Sequence, residues 1–141
     1  MKFNHLKGYE SVTLPTETID GKRYYTTPEG KHYPSVTSVS GLMNRAGIEA
    51  WKRFVGEEQA NKIASQAAGR GTRYHYMMED FINNIDIEEK LAKATPLDRM
   101  MFNQTREITE KLGDIYMLEG ALYSDELMMA GRVDCIADFA G

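Results

Sequence analysis

The pattern of apolar and polar residues predicts a short β-hairpin near the start of the chain. Residues 23–27 are rich in Tyr and Thr, which favours a strand because aromatic and β-branched side chains suit a pleated surface. Residues 28–31, Pro-Glu-Gly-Lys, favour a turn, and residues 32–33 begin a return strand. Residues 1–22 show little periodicity, so we expect an irregular or weakly extended lead-in before the hairpin.

Helical spacing follows the hairpin and predicts three successive helices. Ser35 is the expected N-cap of the first helix, because its hydroxyl can accept a bond from a free first-turn N–H. Gly47 is expected to end it. A second helix is predicted over 49–68, a break at 69–71 and a third helix over 72–83. The face of the first helix that we expect to meet the core comprises Val36, Val39, Leu42 and Met43.

A fourth helix is predicted from Pro96 to about Leu112, because a proline fits the first helical turn. Gly113 is expected to end it, and Gly56 is a candidate interruption of the second helix. The segment 83–93 between the third and fourth helices is polar. The expected core face of the fourth helix comprises Leu97, Met100, Met101, Thr105, Ile108 and Leu112.

Two strands are predicted at the end of the chain, over 115–123 and 128–139, with a turn at 124–126. The last strand is apolar on both faces, which is typical of a central strand covered on each side. A central strand needs a neighbour at both edges, since its backbone groups are otherwise unpaired. Only one neighbour is visible, so the pattern requires a further strand after Gly141. We therefore predict an α/β (α+β) domain whose central sheet is incomplete.

Composition places the chain among ordinary globular proteins. A length of 141 residues suits one domain, and 42% apolar with 27% charged residues is typical of such domains. No apolar run is long enough to span a membrane, and the start lacks a secretory signal. Cys135 is the only cysteine, which excludes an intramolecular disulfide and a Cys-rich metal site within the chain. A cytoplasmic location is therefore expected.

Charge is unevenly distributed along the chain. The net charge is −4, but residues 1–44 sum to +1, residues 45–73 to +3 and residues 74–141 to −8. A basic middle and an acidic end are compatible with a phosphate-binding surface beside a cation-binding cleft. They are equally compatible with a set of solvated helix faces.

Several polar residues are candidates for chemistry on the predicted helices. His75 and Glu79 are four residues apart and share one helix face. Such a pair can bind a metal ion, or the carboxylate can orient the imidazole; taken alone, an ordinary surface pair is the favoured interpretation. Gly69 and Gly71 would let a phosphate approach the N-terminus of the predicted third helix, and a plain helix-to-helix turn explains them equally well.

Two carboxylates lie in the predicted strands. Glu119 and Asp134 would be costly to bury there unless each is paired or binds a cation. Asp134 is flanked by apolar neighbours, and Gly131 would permit a bulge near it; the alternative is an Asp134 bonded to backbone or to Arg132. Together with His75, these carboxylates offer the donors that suit Mg²⁺ or Mn²⁺, which activate water for phosphodiester hydrolysis.

The order and spacing of these residues resemble the RecB-type branch of the PD-(D/E)XK nucleases. The similarity is strongest to its phage exonucleases and the mitochondrial genome maintenance exonuclease, and it covers residues 24–141. The matching residues are Pro34-Ser35-Val36-Thr37, Trp51, Gly71-Thr72, His75, Glu79, Glu119 and Gly131-Arg132-Val133-Asp134. The resemblance implies a restriction-endonuclease-like core over residues 23–141.

The resemblance also implies an activity and a site. It implies a metal-dependent DNA nuclease, a single-strand-preferring exonuclease, in the cytoplasm of a phage-infected or bacterial cell. His75, Glu119 and Asp134 map to catalytic positions; His75 and Asp134 would bind Mg²⁺ or Mn²⁺, and Glu79 would support them. DNA, single-stranded or at ends, is the implied partner, and no membrane is. The residues expected to contact DNA are Ser35, Thr37, Lys52, Arg53, Arg70, Gly71, Thr72 and Arg73.

Aromatic side chains supply a second kind of DNA contact in this picture. Tyr33, Trp51 and Tyr74 are candidates for stacking on bases. Packing in the core is the favoured interpretation of Trp51 itself. Stacking on bases requires an exposed ring, whereas packing in the core requires a buried one.

The chain departs from the family in one respect. The family carries Asp-x-Lys or Glu-x-Lys on the strand after the one that holds Asp134, and no such sequence follows Asp134 here. We therefore expect the chain alone to be inactive. Two alternatives follow: a DNA-binding module without catalysis, and a protein-interaction fragment whose unpaired strand edge docks onto a partner or a second copy.

Overall fold

The computed structural model describes residues 2–140 and shows a mixed α+β fold with two small antiparallel sheets. Three short strands come first, four helices follow, and two long strands end the described part of the chain. The elements are β1 (Thr16–Ile19), β2 (Lys22–Thr26), β3 (His32–Pro34), α1 (Val36–Val55), α2 (Glu57–Ile82), α3 (Glu88–Lys93), α4 (Pro96–Thr109), β4 (Leu112–Ser124) and β5 (Met129–Phe139).

The predicted hairpin is confirmed as β2 and β3, and β1 extends it to a three-stranded sheet. Thr16 and Tyr33 both pair with Tyr25, one from each side. The lead-in is therefore more ordered than its sequence predicts. Leu14 is buried against Tyr25, and Phe3 is buried in a separate apolar cluster. Isolated apolar residues of this kind show no periodicity, so their anchoring depends on distant partners.

The helix boundaries differ from the prediction at most of the glycines. Ser35 caps α1 as expected, with the Ser38 amide donating to its Oγ at 3.1 Å. Gly47 does not end α1, and residues 69–71 lie inside a continuous α2. The break falls at Gly56, whose φ of 88° lies in the left-handed region that favours glycine. A glycine costs a helix only about 1 kcal/mol relative to alanine, so its presence alone does not end one.

The core lies in three apolar clusters. The first joins the hairpin sheet to β5, the second joins α2, α3 and α4, and the third joins α2 to β4 and β5. The buried members are, in that order, Leu14, Tyr25, Tyr33 and Ala130; Met77, Ile87, Leu91 and Phe102; and Phe3, Ile82 and Ile115.

The face of α4 that meets the core is not the predicted one. Phe102 is fully buried and Asp98 nearly so, whereas Leu97, Met100 and Ile108 are exposed. Residues 98 and 102 are one turn apart, so they share a face. Apolar residues lie on several sides of α4, and one of the buried positions is an aspartate. A hydrophobic pattern therefore does not identify the face that meets the core.

The predicted core face of α1 is also wrong within residues 2–140. Val36, Val39, Leu42 and Met43 are 49%, 40%, 59% and 86% exposed, and α1 has no buried residue. Its helical spacing is therefore real, but among the described residues each of these side chains stays at least 40% exposed, and Val36 lies near Gly131 of β5.

β4 and β5 form the second sheet at the predicted place. Leu118 pairs with Cys135 and Gly120 with Val133. The end of α4 was misplaced, because the helix stops at Thr109 and Gly113 already belongs to β4. Within the described residues β5 has one strand neighbour, and its other edge meets only a bridge between Ser35 and Ala130.

No helix between residues 2 and 140 has the length and apolar character needed to cross a membrane.

An ion pair between the buried Asp98 and the partly exposed Arg73 ties α2 to α4. Arg73 donates to Asp98 through Nε at 2.7 Å and through Nη2 at 3.3 Å. The Asp98 side chain is only 2% exposed. Its own amide donates to Thr95 Oγ1, the N-cap of α4, at 3.2 Å. The bonds from Arg73 hold the pKa of Asp98 below its ordinary value of 3.8.

We predict that Asp98→Asn destabilises the fold by several degrees in thermal midpoint, because Arg73 loses its charged partner. A lowered pKa stabilises the fold above the ordinary pKa of 3.8 and loses that effect as pH falls through the folded value. The deficit of the variant is therefore full at neutral pH and shrinks on acidification. Thermal and urea unfolding across this range measure it, with the exposed Glu107→Gln on the same helix as control. A deficit independent of pH would contradict this account.

Candidate metal centre

Three side chains from separate elements converge at one place. His75 comes from α2, Glu119 from β4 and Asp134 from β5, and one ligand atom of each lies within 4.8 Å of the others. His75 Nδ1 is 3.8 Å from Asp134 Oδ1. The side chains of His75 and Asp134 are 54% and 72% exposed, so the cluster is open to solvent.

Apolar packing beneath the cluster sets these positions. Ile82, two turns after His75 on α2, is buried with Ile115 of β4. Leu118 and Cys135, the chain neighbours of Glu119 and Asp134, pack against the same group. The apolar contacts thus hold one helix across two strands, and the polar side chains project from the same segments.

Glu119 adopts an unusual backbone conformation. Its φ is 52°, in the left-handed region that L-residues other than glycine rarely occupy. The ladder pairs on either side, Leu118 with Cys135 and Gly120 with Val133, place Glu119 opposite Asp134. Such a conformation costs roughly 1–2 kcal/mol and is found where surrounding contacts hold it.

Arg132 supplies those surrounding contacts. Its Nε lies 2.9 Å from Glu119 Oε2 and donates to the Glu119 carbonyl oxygen at 3.2 Å. Sequence reasoning considered Arg132 as a partner of Asp134 and missed this pairing. The pairing of Arg132 with Glu119 depends on which residues of β4 and β5 lie opposite each other, and the sequence alone does not give that register.

His75 and Glu119 line a cleft of about 230 Å³. Asp134 is not part of the lining, but one of its carboxylate oxygens lies within 4.8 Å of a ligand atom of each. Glu79, one turn after His75 on α2, lines this cleft and is half-buried. The other lining residues are Thr72, His75, Tyr76, Glu119 and Arg132. The predicted supporting position of Glu79 is therefore compatible with the geometry.

The donor set fits a hard divalent cation. One imidazole nitrogen and two carboxylates suit Mn²⁺ or Mg²⁺ better than soft metals. Ligand atoms around such an ion, with bonds of about 2.1 Å, lie no more than about 4.2 Å apart. The separations here do not exceed 4.8 Å, and the 3.8 Å between His75 Nδ1 and Asp134 Oδ1 already falls within that limit. Small rotations of the exposed His75 and Asp134 side chains would therefore close the site.

Two of the residues expected to contact DNA or bases are buried. Ser35 is 2% exposed, and its Oγ is bonded to Thr37 Oγ1 and Ser38. Tyr33 is 7% exposed and donates its hydroxyl to Asp125. Burial removes both from the set that DNA can reach. The ring of Tyr74 is half-buried, and its hydroxyl donates to Thr105 Oγ1 at 2.8 Å.

The prediction of an anion site at a helix N-terminus around residues 69–72 is wrong. Gly71 lies inside α2, so no helix N-terminus with free N–H groups exists there. Arg73 is engaged by Asp98, and Arg70 is half-buried. Thr72 is exposed and lines the cleft.

Besides Thr72 and the Arg73 side chain, three predicted DNA contacts on α1 are accessible. Thr37, Lys52 and Arg53 are exposed. Trp51 is 37% exposed, so its predicted packing in the core is wrong and its ring is open to a partner.

Comparisons with known proteins return no match: no family model, no curated protein and no solved structure is similar to this chain. The function of the chain is therefore inferred from the geometry of the site and from the sequence resemblance.

We predict that Glu119→Gly is more stable than Glu119→Ala by about 1 kcal/mol, because only glycine relieves the positive φ. Both variants lose the pair with Arg132, so the comparison isolates the backbone. Elsewhere in a strand the order reverses, since glycine costs roughly 0.5–1 kcal/mol relative to alanine. Urea unfolding of both variants measures the difference, with Leu122→Gly and Leu122→Ala in the same strand as the matched pair. The same order at both positions would show that Glu119 is not strained.

Proposed function

We propose that the chain carries the divalent-metal site of a metal-dependent DNA nuclease of the PD-(D/E)XK type, RecB branch. One observation supports this most strongly. His75, Glu119 and Asp134, selected by resemblance from three separate stretches of sequence, lie within 4.8 Å of one another. Random placement of three residues in 141 would rarely bring them together around a point suited to Mg²⁺ or Mn²⁺.

The architecture around the site supports the same proposal. An antiparallel strand pair, β4 and β5, holds the two carboxylates, and α2 packs across it and supplies the histidine. This arrangement is compatible with a restriction-endonuclease-like core, in which strand carboxylates and a helix face one cleft.

Each residue has a defined role in this proposal. His75 and Asp134 bind the ion, Glu119 offers a further carboxylate, and Glu79 lies beside them in the cleft. When bound, a divalent ion would lower the pKa of a water molecule and neutralise charge on a phosphodiester. Exposed Lys52 and Arg53 are available for backbone phosphates, and Trp51 for a base of a single strand.

The catalytic lysine of the family has no counterpart near the cleft. The described residues that line it include Arg132 but no lysine. The chain as given is therefore proposed to bind metal and DNA without efficient hydrolysis.

We predict that the chain binds Mn²⁺ and that His75→Ala and Asp134→Ala each weaken binding by at least about tenfold. Losing even an indirect partner of a metal ligand typically costs 10- to 100-fold in affinity. Isothermal titration and the electron paramagnetic resonance of free Mn²⁺ measure this directly. His32→Ala is the matched control, because His32 is an exposed histidine on β3 outside the cleft.

Equal Mn²⁺ affinity in wild type, His75→Ala and Asp134→Ala would overturn the proposed site. Robust Mg²⁺-dependent cleavage of DNA by the pure chain would overturn the narrower expectation that it is inactive alone. These two outcomes are independent, since the first concerns binding and the second concerns the missing lysine.

We infer a second candidate function, a protein-interaction module, from the uncovered face of α1. Met43 and Phe54 are 86% and 89% exposed, and their spacing places them on one side of the helix. Large exposed apolar patches mark interaction sites. The β5 edge is free of strand partners within residues 2–140, so strand pairing offers a second contact. The proposed occupant is a second copy of the chain, which carries both features.

We predict a concentration-dependent dimer whose dissociation constant rises at least about tenfold in the double variant Met43→Ser, Phe54→Ser, as for central apolar contacts. Both residues are exposed, so their replacement leaves the fold intact. Light scattering after size exclusion measures the association. Arg45→Ser, at another exposed position of α1, is the control. A monomer at every concentration would exclude this candidate.

A further inference from the structure

Arg132 uses only one edge of its guanidinium within the chain. Nε donates a hydrogen bond to the carbonyl of Glu119 and forms an ion pair with its carboxylate. Among the described residues neither terminal amino group has a hydrogen-bond partner, and the side chain is 58% exposed in the cleft. A guanidinium presents five donors in a rigid fork that matches phosphate oxygens. Four of these donors are therefore oriented but unused.

The charges around the cleft decide when an anion can bind the four unused donors of Arg132. Glu79 and Glu119 in the cleft and Asp134 beside it contribute three negative charges, and Arg132 contributes one positive charge. These four side chains sum to −2, which repels a phosphate. A bound divalent cation brings that sum to zero and places a positive charge beside the arginine.

From these contacts we propose that Arg132 is a phosphate-binding residue, held in place by Glu119 and able to bind a nucleic-acid phosphate only when the neighbouring cation site is filled. The inference rests on the proposed metal site and deepens it. The chemical class of the ligand is a phosphodiester or terminal phosphate of a single strand. The strained Glu119 then has a role, because its conformation presents carboxylate and carbonyl oxygens to the same nitrogen.

Arginine is suited to this task and lysine is not. One edge of a guanidinium can hold Glu119 while the other edge binds phosphate in a fixed direction. The ammonium group of a lysine is a compact point charge. It would therefore lose either Glu119 or the phosphate, or bind both weakly. Arg132→Lys is therefore expected to retain charge but lose part of the affinity, which distinguishes geometry from charge.

The test measures binding of a fluorescein-labelled oligothymidylate to the whole chain by anisotropy, with saturating Mn²⁺ or with EDTA. We expect Arg132→Gln to weaken binding about tenfold or more in Mn²⁺ and to leave it unchanged in EDTA. Arg132→Lys should fall between wild type and Arg132→Gln. The salt dependence of binding in Mn²⁺ should fall by the share of one single-strand phosphate, a slope of about 0.7. Arg45→Gln removes the same charge from α1 and serves as control.

The outcomes separate this inference from the metal site. Wild-type oligothymidylate affinity in Arg132→Gln, together with Mn²⁺ binding that depends on Asp134, would overturn the role of Arg132 and leave the metal site standing. An equal loss in Mn²⁺ and in EDTA would also overturn it, because the effect would then be structural. Absence of Mn²⁺ binding by the wild-type chain would overturn both. Unfolding midpoints of each variant exclude loss of fold as the cause.

Discussion

The packing of the last turns of α2 against β4 and β5 is the contact on which the arrangement of the site depends. Ile82 and Ile115 are buried together, and Phe3 closes the group from the start of the chain. Because a helix is rigid over two turns, anchoring Ile82 also fixes the height and direction of His75. The cluster is thus set by apolar packing, while the side chains of His75 and Asp134 remain open to solvent.

The polar side chains of the same region carry two unfavourable features, repulsion between carboxylates and a strained backbone at Glu119. Glu79 and Glu119 line one cleft with a single arginine, Asp134 lies close to Glu119, and Glu119 occupies a backbone conformation that L-residues rarely adopt. Neither feature helps a protein fold, and each persists only where the surrounding packing is strong enough to hold it.

The features that sequence reasoning found are those whose cause is local. The Ser35 cap needs only an amide three residues away, and the hairpin needs only its turn and two short strands. The missed features depend on distant partners: Asp98 is a core residue because Arg73 meets it, and Phe102 is buried because α2 lies over it. At the site, resemblance identified His75, Glu119 and Asp134, but no pattern carries the register that gives Arg132 to Glu119.

The glycines show why the ends of the helices could not be predicted from the sequence alone. Gly47, Gly69 and Gly71 lie in helices, whereas Gly56 ends one with a φ of 88°. A glycine weakens a helix by about 1 kcal/mol, which a few side-chain pairs of roughly 0.2–0.5 kcal/mol each can offset, so the neighbours decide the outcome. The continuous α2 that results carries Thr72, His75 and Glu79 along one side into the cleft. Had residues 69–71 broken the helix, a helix N-terminus with free amides would lie there. In the unbroken helix the amides of residues 69–71 are engaged within α2, and Arg132 is the one basic side chain that lines the cleft among the described residues.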